Sequence, residues 1–415
     1  MRSALCALRI HSILSVIAFS AFFAAGAQAA EFNLRPGITV SEEYNDNIFL
    51  TTTDGLTDYV TRAMPSVNLH YRTELWNWDV NYAYDYRYYA RRSREDDTTQ
   101  SADVRNRTEL LKNIFFIEIR DQYSRVSLDV ARDFTNESEF FNQSDRNVFM
   151  LNPSLVLKAG SRSTPVLGYQ YRNTWYEDPV AIDTVDNIGY AEVATSISSR
   201  ATFTTGARFT RQESDVLIFD KTDVYAGPQY TYARNSYIHF TAGNSWFNFG
   251  EGKNFTQPFW RAGITHQYAT FTASLETGLS FIPDPLRVLR REDRYVATIR
   301  KETARTSLTL TGVAADYRDT ETKHLENTTY RIGGAMRYAL TPKSSISLDL
   351  ANERRKEYQT YTYQDLLFSG VRLEHRATGH LTLALQYRYT DSYAPETFEI
   401  NYYNNRALFE IKMTF

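Results

Sequence analysis

Six histidines follow residue 29: His70, His239, His266, His324, His375 and His380. An imidazole does proton-transfer work only when a nucleophile, an acid or a metal partner stands at a workable spacing. None of the six lies in a nucleophile motif, and no pair has the spacing that puts two imidazoles round one ion. Alternation along the chain puts His70 and His239 on polar faces and His266 and His375 on apolar faces, with His324 and His380 in connections. The one cysteine, Cys6, precedes residue 29, which leaves the later chain without a thiolate, a disulfide or a covalent haem site. The acids Glu95, Asp96 and Asp97 could hold a divalent cation, but a charged run in a polar connection is more simply solvated. The expectation is no catalysis, no cofactor and no metal site.

Arginine is the chemically able residue that recurs at regular spacing. Arg87, Arg120, Arg172, Arg208, Arg261, Arg300, Arg331, Arg337, Arg372, Arg388 and Arg406, with Lys412, all fall on the polar faces of alternating segments. The acids on those faces are Asp79, Asp85, Glu118, Glu276, Asp349, Glu353, Glu374 and Glu410. A cation facing lipid at the midplane costs about 2–4 kcal/mol, so these positions face water. Two readings remain open. The charges pair across the wall, Arg120 with Glu118 and Arg372 with Glu374. Alternatively, a cationic excess concentrates anionic solutes or an anionic polymer. Inward tyrosine and tryptophan, which would stack on sugars, are not evident from parity.

These faces belong to strands. Trp76 to Tyr88 alternates Trp76, Trp78, Val80, Tyr82, Tyr84, Tyr86 and Tyr88 against Asn77, Asp79, Asn81, Asp85 and Arg87. Leu381 to Thr390, Ile346 to Glu353 and Arg406 to Phe415 repeat that two-residue period, which a helix would scatter round all sides. Outward Trp78, Tyr169, Tyr171, Trp175, Trp246, Trp260, Tyr387 and Tyr389 suit interfacial belts. Short connections (Lys112-Asn113, Ser198–Arg200, Arg234–Ser236, Thr341–Lys343, Arg376–Gly379) alternate with longer ones (Asn45–Leu56, Ala90–Gln100, Ser127–Gln143, Glu177–Asp186, Gly250–Thr256, Arg318–Glu326, Asp391–Glu396). The spacing predicts an all-β, transmembrane, antiparallel up-and-down β-barrel of about 20 strands, with 18 the neighbouring even count. A Pro-x-apolar-x-apolar pattern at Pro36, Pro65, Pro153 and Pro228 places proline at strand ends or bulges.

The chain has 415 residues, a formal net charge of −3, 30 Tyr and 25 Phe. Its mean hydropathy is −0.46, and after the N-terminus no apolar run reaches the ~18 residues of a membrane helix. A barrel tolerates such an average because inward polar residues offset outward apolar ones. The balance of charge excludes a nucleic-acid-coating surface. Arg2 and Arg9, the apolar stretch Ile13–Ala25 and the small-x-small Ala27-Gln28-Ala29 read as a secretory signal over 1–29, leaving 30–415 as the barrel. Localisation is then the bacterial outer membrane, with its lipid as one partner.

The strand ending on Phe415 is similar to the signal by which the barrel assembly machinery recognises its clients. The opening Ser41–Leu50, with Glu42, Tyr44, Asp46, Asn47 and Ile48, resembles a family of outer-membrane β-barrel porins found in exopolysaccharide biosynthesis operons, including PEP-CTERM/exosortase systems. Asp46 and Asn47 also suit a simple turn at a strand end. The resemblance implies a conduit for export of a newly made polysaccharide, aided by a periplasmic polysaccharide-export protein. A general or anion-preferring diffusion porin is the second expectation, with Ser127–Gln143 as its candidate constriction loop. A structural sleeve or surface scaffold is the third.

Overall fold

The computed structural model describes residues 30–128, 143–250, 254–286, 288–395 and 401–415. The segment 1–29, most of Ser127–Gln143, and parts of Gly250–Thr256 and Asp391–Glu396 lie outside them. The described residues form twenty strands and no helix. They are β1 Glu31–Asn45, β2 Asp58–Arg72, β3 Trp76–Tyr89, β4 Asp97–Leu111, β5 Phe115–Ser127, β6 Gln143–Val156, β7 Ser163–Tyr176, β8 Thr184–Ser196, β9 Ala201–Ser214 and β10 Ile218–Ala233. The second half is β11 Ser236–Asn248, β12 Asn254–Gln267, β13 Thr272–Asp284, β14 Val288–Glu302, β15 Thr306–Arg318, β16 Leu325–Thr341, β17 Ser344–Glu357, β18 Thr362–Arg376, β19 Leu381–Tyr393 and β20 Tyr402–Thr414.

Each strand pairs antiparallel with the next, and β20 returns to β1 over Gly37↔Thr414 to Asn45↔Arg406. Closure satisfies the edge backbone groups that lipid would leave unpaired. Strands of 13 to 17 residues exceed the ~9–11 needed to cross a bilayer. The surplus stands at the end with the longer connections, where outward charges neutralise one another: Arg354 with Asp365 at 2.7 Å, and Arg291 and Arg318 with Asp293 at 3.1 and 3.2 Å. Below this collar the outward face is apolar. Leu350 and Ile332 are exposed there, and tyrosine hydroxyls reach neighbouring amides, Tyr387 to Asn405 and Tyr169 to Asn187.

Proline behaves otherwise than its pattern predicted. Pro65, Pro153 and Pro228 lie inside β2, β6 and β10, and no bulge accompanies them. Each instead opens a two-residue gap in one ladder, at Met64-Pro65 against β3, Asn152-Pro153 against β7 and Gly227-Pro228 against β11, with the register kept across the gap; the β10–β11 ladder shifts only later, between Thr231 and Ala233. A missing N–H removes a rung without adding a residue. A larger break separates β12 from β13. Their ladder stops at Trp260↔Leu279, although β12 continues to Asn254 and β13 to Asp284. Pro258 and Pro283 stand on the two lips of this split.

Candidate functional site

The interior is where water and solute meet the wall, and register fixes which residues reach it. Arg87↔Arg62, Arg172↔Asp186, Arg331↔Glu353 and Arg406↔Arg388 are direct cross-strand neighbours on the polar face. Arg120, Arg208, Arg261, Arg337, Arg372 and Lys412 share that parity, in line with Arg105, Asp223, Gly278, Ser347, Gln386 and Thr39.

The inward charges are largely consumed by one another. Asp85 accepts from Arg62 at 2.5 Å and from Arg87 at 2.9 Å. Arg172 meets Asp186 at 2.6 Å, Arg261 meets Glu276 at 3.4 Å, and Arg331 and Arg355 share Glu353 at 3.9 and 2.9 Å. Arg337, Glu374, Arg372 and Glu410 form a chain, and Arg406 holds Glu43 with two bonds of 2.9 and 2.8 Å. The Arg372–Glu374 contact matches the sequence expectation at 3.8 Å. Arg120 does not take Glu118, which turns to Arg107 on β4 at 3.2 Å. Among the described residues, no carboxylate lies within ion-pair distance of Arg120 or Arg208. The alternation showed the polar face, but the partner on it is set by register.

Rings also line the interior, contrary to the parity reading. Tyr190, Tyr225 and Phe259 lie on the same face as Arg208 and Arg261, each against a glycine of the preceding strand. A Cβ on Gly168 would fall 2.2 Å from the Tyr190 ring, on Gly206 2.5 Å from Tyr225, and on Gly243 2.5 Å from Phe259. The glycines let the rings lie along the wall with one face toward the lumen. These residues were hidden because Val224, Trp260 and Ala191 beside them are also apolar. The glycine on the facing strand is the signal that singles them out.

At the end with the longer connections, inward Phe219, Phe247 and Phe255 form an apolar cluster with Ile182, Leu217 and Phe281. Phe247 stacks on Phe255 at 4.7 Å and meets Phe281 edge-on at 5.0 Å. Ile182 N–H donates to the Pro285 carbonyl at 2.7 Å, and Gln257 Nε2 donates to the Thr320 carbonyl at 2.6 Å. These contacts draw separate connections together over the split between β12 and β13.

The motif at 42–48 closes the wall. Asp46 accepts from the Asn405 backbone N–H and from Asn405 Nδ2, both at 2.7 Å. Asn47 Nδ2 donates to the carbonyls of Thr51 and Tyr403 at 2.8 and 3.1 Å, and its Oδ1 accepts from Thr51 N–H at 2.9 Å. Buried Asn404 donates to Asn45 Oδ1 at 2.6 Å and to the Asn47 carbonyl at 3.0 Å. Ile48 is fully buried with Val60 and Tyr89 beneath the loop. Glu42 and Tyr44 face outward, to Thr61 at 2.6 Å and Tyr59 at 5.5 Å between ring centres. Phe415 stays exposed, its N–H on the Pro36 carbonyl at 2.9 Å. Asp46 and Asn47 therefore do more than make a turn: they fasten β1 to β20.

The histidines are dispersed. His70 contacts Asp79 at 2.7 Å on the inward face, whereas His375 contacts Ser344 at 2.9 Å on the outward face. A wall separates the two contacts. No group of three metal-ligating side chains occurs among the described residues.

No family model and no curated protein matches the chain. Solved structures do. A mutant ferric enterobactin receptor from Pseudomonas aeruginosa, in complex with enterobactin, superposes with a TM-score of 0.54 at 10% identity, over 94% of this chain and 82% of that one. This is an outer-membrane β-barrel. The siderophore receptor PirA from Pseudomonas aeruginosa is similar at a TM-score of 0.50 and 12% identity, covering 94% and 81% of the two chains. The copper transporter OprC is similar at 0.50 and 9%, covering 93% and 80%. At such identity the barrel's likeness is one of fold and membrane setting.

Proposed function

We propose that this barrel is a conduit through which an exopolysaccharide crosses the outer membrane, without chemistry of its own. The observation that carries the reading is the interior, where paired guanidinium and carboxylate groups alternate with rings laid flat on glycine. Such a surface offers donors, acceptors and stacking faces together. Each contact is weak enough for a polymer to keep moving. The family resemblance at Glu42, Tyr44, Asp46, Asn47 and Ile48 points the same way, although in this chain those residues fasten the barrel. A polysaccharide-export protein would bridge the periplasm to the short-turn end, and Phe415 would present the strand to the assembly machinery.

Deletion of the gene, with complementation, tests the reading through the mass of polysaccharide recovered outside the cell. Export is expected to fall at least several-fold and to return with the wild-type copy. Undiminished export would overturn the proposal and favour a diffusion porin.

A further inference from the structure

One stretch of the lumen has the makings of a saccharide station, and its charge says which kind. Glu192, Gly206, Tyr225, Gly243 and Phe259 follow one another along a single line of register across β8 to β12. Tyr225 Oη donates to Glu192 at 2.8 Å, which pins the ring across Gly206. Phe259 lies across Gly243 with its ring centre 6.4 Å from that of Tyr225. The two rings therefore line one side of a cavity of about 790 Å³. Its charged lining comprises Arg208, Arg261 and Arg294 against Asp223, Glu276 and Glu292.

Three cations face three anions, and most are already engaged. Arg261 meets Glu276 at 3.4 Å, Arg294 meets Glu292 at 3.3 Å, and Asp223 holds Lys221 at 3.0 Å and Ser245 at 2.6 Å. A polyanion entering here gains little net Coulomb energy, because Arg261 and Arg294 each bring a carboxylate with them and only Arg208 lacks one within ion-pair distance among the described residues. A sugar hydroxyl is different, since it donates and accepts at once and needs both partner types close together. The flat C–H face of a pyranose suits an aromatic face that has one side free.

We infer that the lumen at Tyr225 and Phe259 binds a neutral, hydroxyl-rich polysaccharide in preference to an acidic one. This deepens the export reading and rests on it. The site is tested with the purified barrel in detergent micelles by saturation-transfer NMR, using maltoheptaose and cellohexaose as neutral probes and hexagalacturonate as the acidic one. Transfer to the ring protons of at least one neutral probe is expected, falling several-fold in the Tyr225→Ala/Phe259→Ala variant. Tyr225→Phe, which keeps the ring, should retain it. Phe259→Leu keeps bulk without an aromatic face, so it reports the stacking contribution should the double variant fail to fold. Stronger transfer to hexagalacturonate, abolished by added salt, would overturn the inference in favour of an anionic polymer. Transfer to none of the three, or neutral transfer unchanged in both Phe259→Leu and the double variant, would remove the station. Neither result bears on the secreted-polymer measurement, so the two failures are distinguishable.

Discussion

Asp46→Ala should unfasten the barrel seam. The carboxylate takes two hydrogen bonds from Asn405 at 2.7 Å each, one from the backbone amide just beyond the last β1–β20 pair, Asn45↔Arg406. Hydrogen bonds to a charged group contribute about 1.5–3 kcal/mol each, and at a partly hydrated rim the lower figure applies, giving roughly 3 kcal/mol for the pair. That is on the order of a 150-fold rise in the opened population, at about 1.4 kcal/mol per tenfold. Amide hydrogen exchange in micelles reads it directly, because local opening sets the protection of the Asn405 and Tyr403 amides. Protection there should fall by about two orders of magnitude, while amides of β8 and β9 stay as they were. Asp46→Asn keeps one acceptor and should lose about half as much free energy. Glu42→Gln is the control, because Glu42 faces outward and accepts from Thr61 on β2 rather than from β20, and glutamine keeps an acceptor oxygen there. Unchanged protection at Asn405 in Asp46→Ala would refute the clasp.

Two further substitutions probe the interior. Gly243→Ala should destabilise by roughly 1–3 kcal/mol through overpacking, since its Cβ would meet both the Phe259 ring and the Val224 carbonyl at 2.5 Å. Gly206→Ala should cost less, because only the far end of Tyr225 obstructs it and that ring can swing into the lumen; equal losses in urea unfolding would contradict this difference. Asp85→Ala takes a shared carboxylate from Arg62 and the buried Arg87 and should lower thermal stability by about 2–3 kcal/mol, below the 3–5 of a dry buried pair because the lumen is wet. A loss within 0.5 kcal/mol, of order the surface-substitution range, would show that water replaces the carboxylate.

The wall was legible in the sequence and the pairing on it was not. Alternation in Trp76–Tyr88 or Leu381–Thr390 needs only local identity, so strands, face and approximate count follow from it. Whether Glu118 meets Arg120 or Arg107 depends on strand register, which the hydrophobic pattern constrains but does not resolve charge by charge. Tyr225 and Phe259 were lost because their outward neighbours are apolar too, so their parity had no polar contrast. The clasp was half visible. Asp46 and Asn47 mark a turn from their own chemistry, but Asn405 lies 359 positions away and meets Asp46 only when the barrel closes. Proline was misread because a rung can be omitted without a bulge wherever the flanking ladder holds the register.

Single-cysteine scanning along β19, in a Cys6→Ser background in lipid vesicles, tests the closed alternating wall most directly. A water-soluble maleimide should label cysteines at Thr382, Gln386 and Arg388 and spare those at Leu383, Leu385 and Tyr387. Labelling with no two-residue period, or labelling of both sets alike, would contradict a wall with lipid on one face and water on the other.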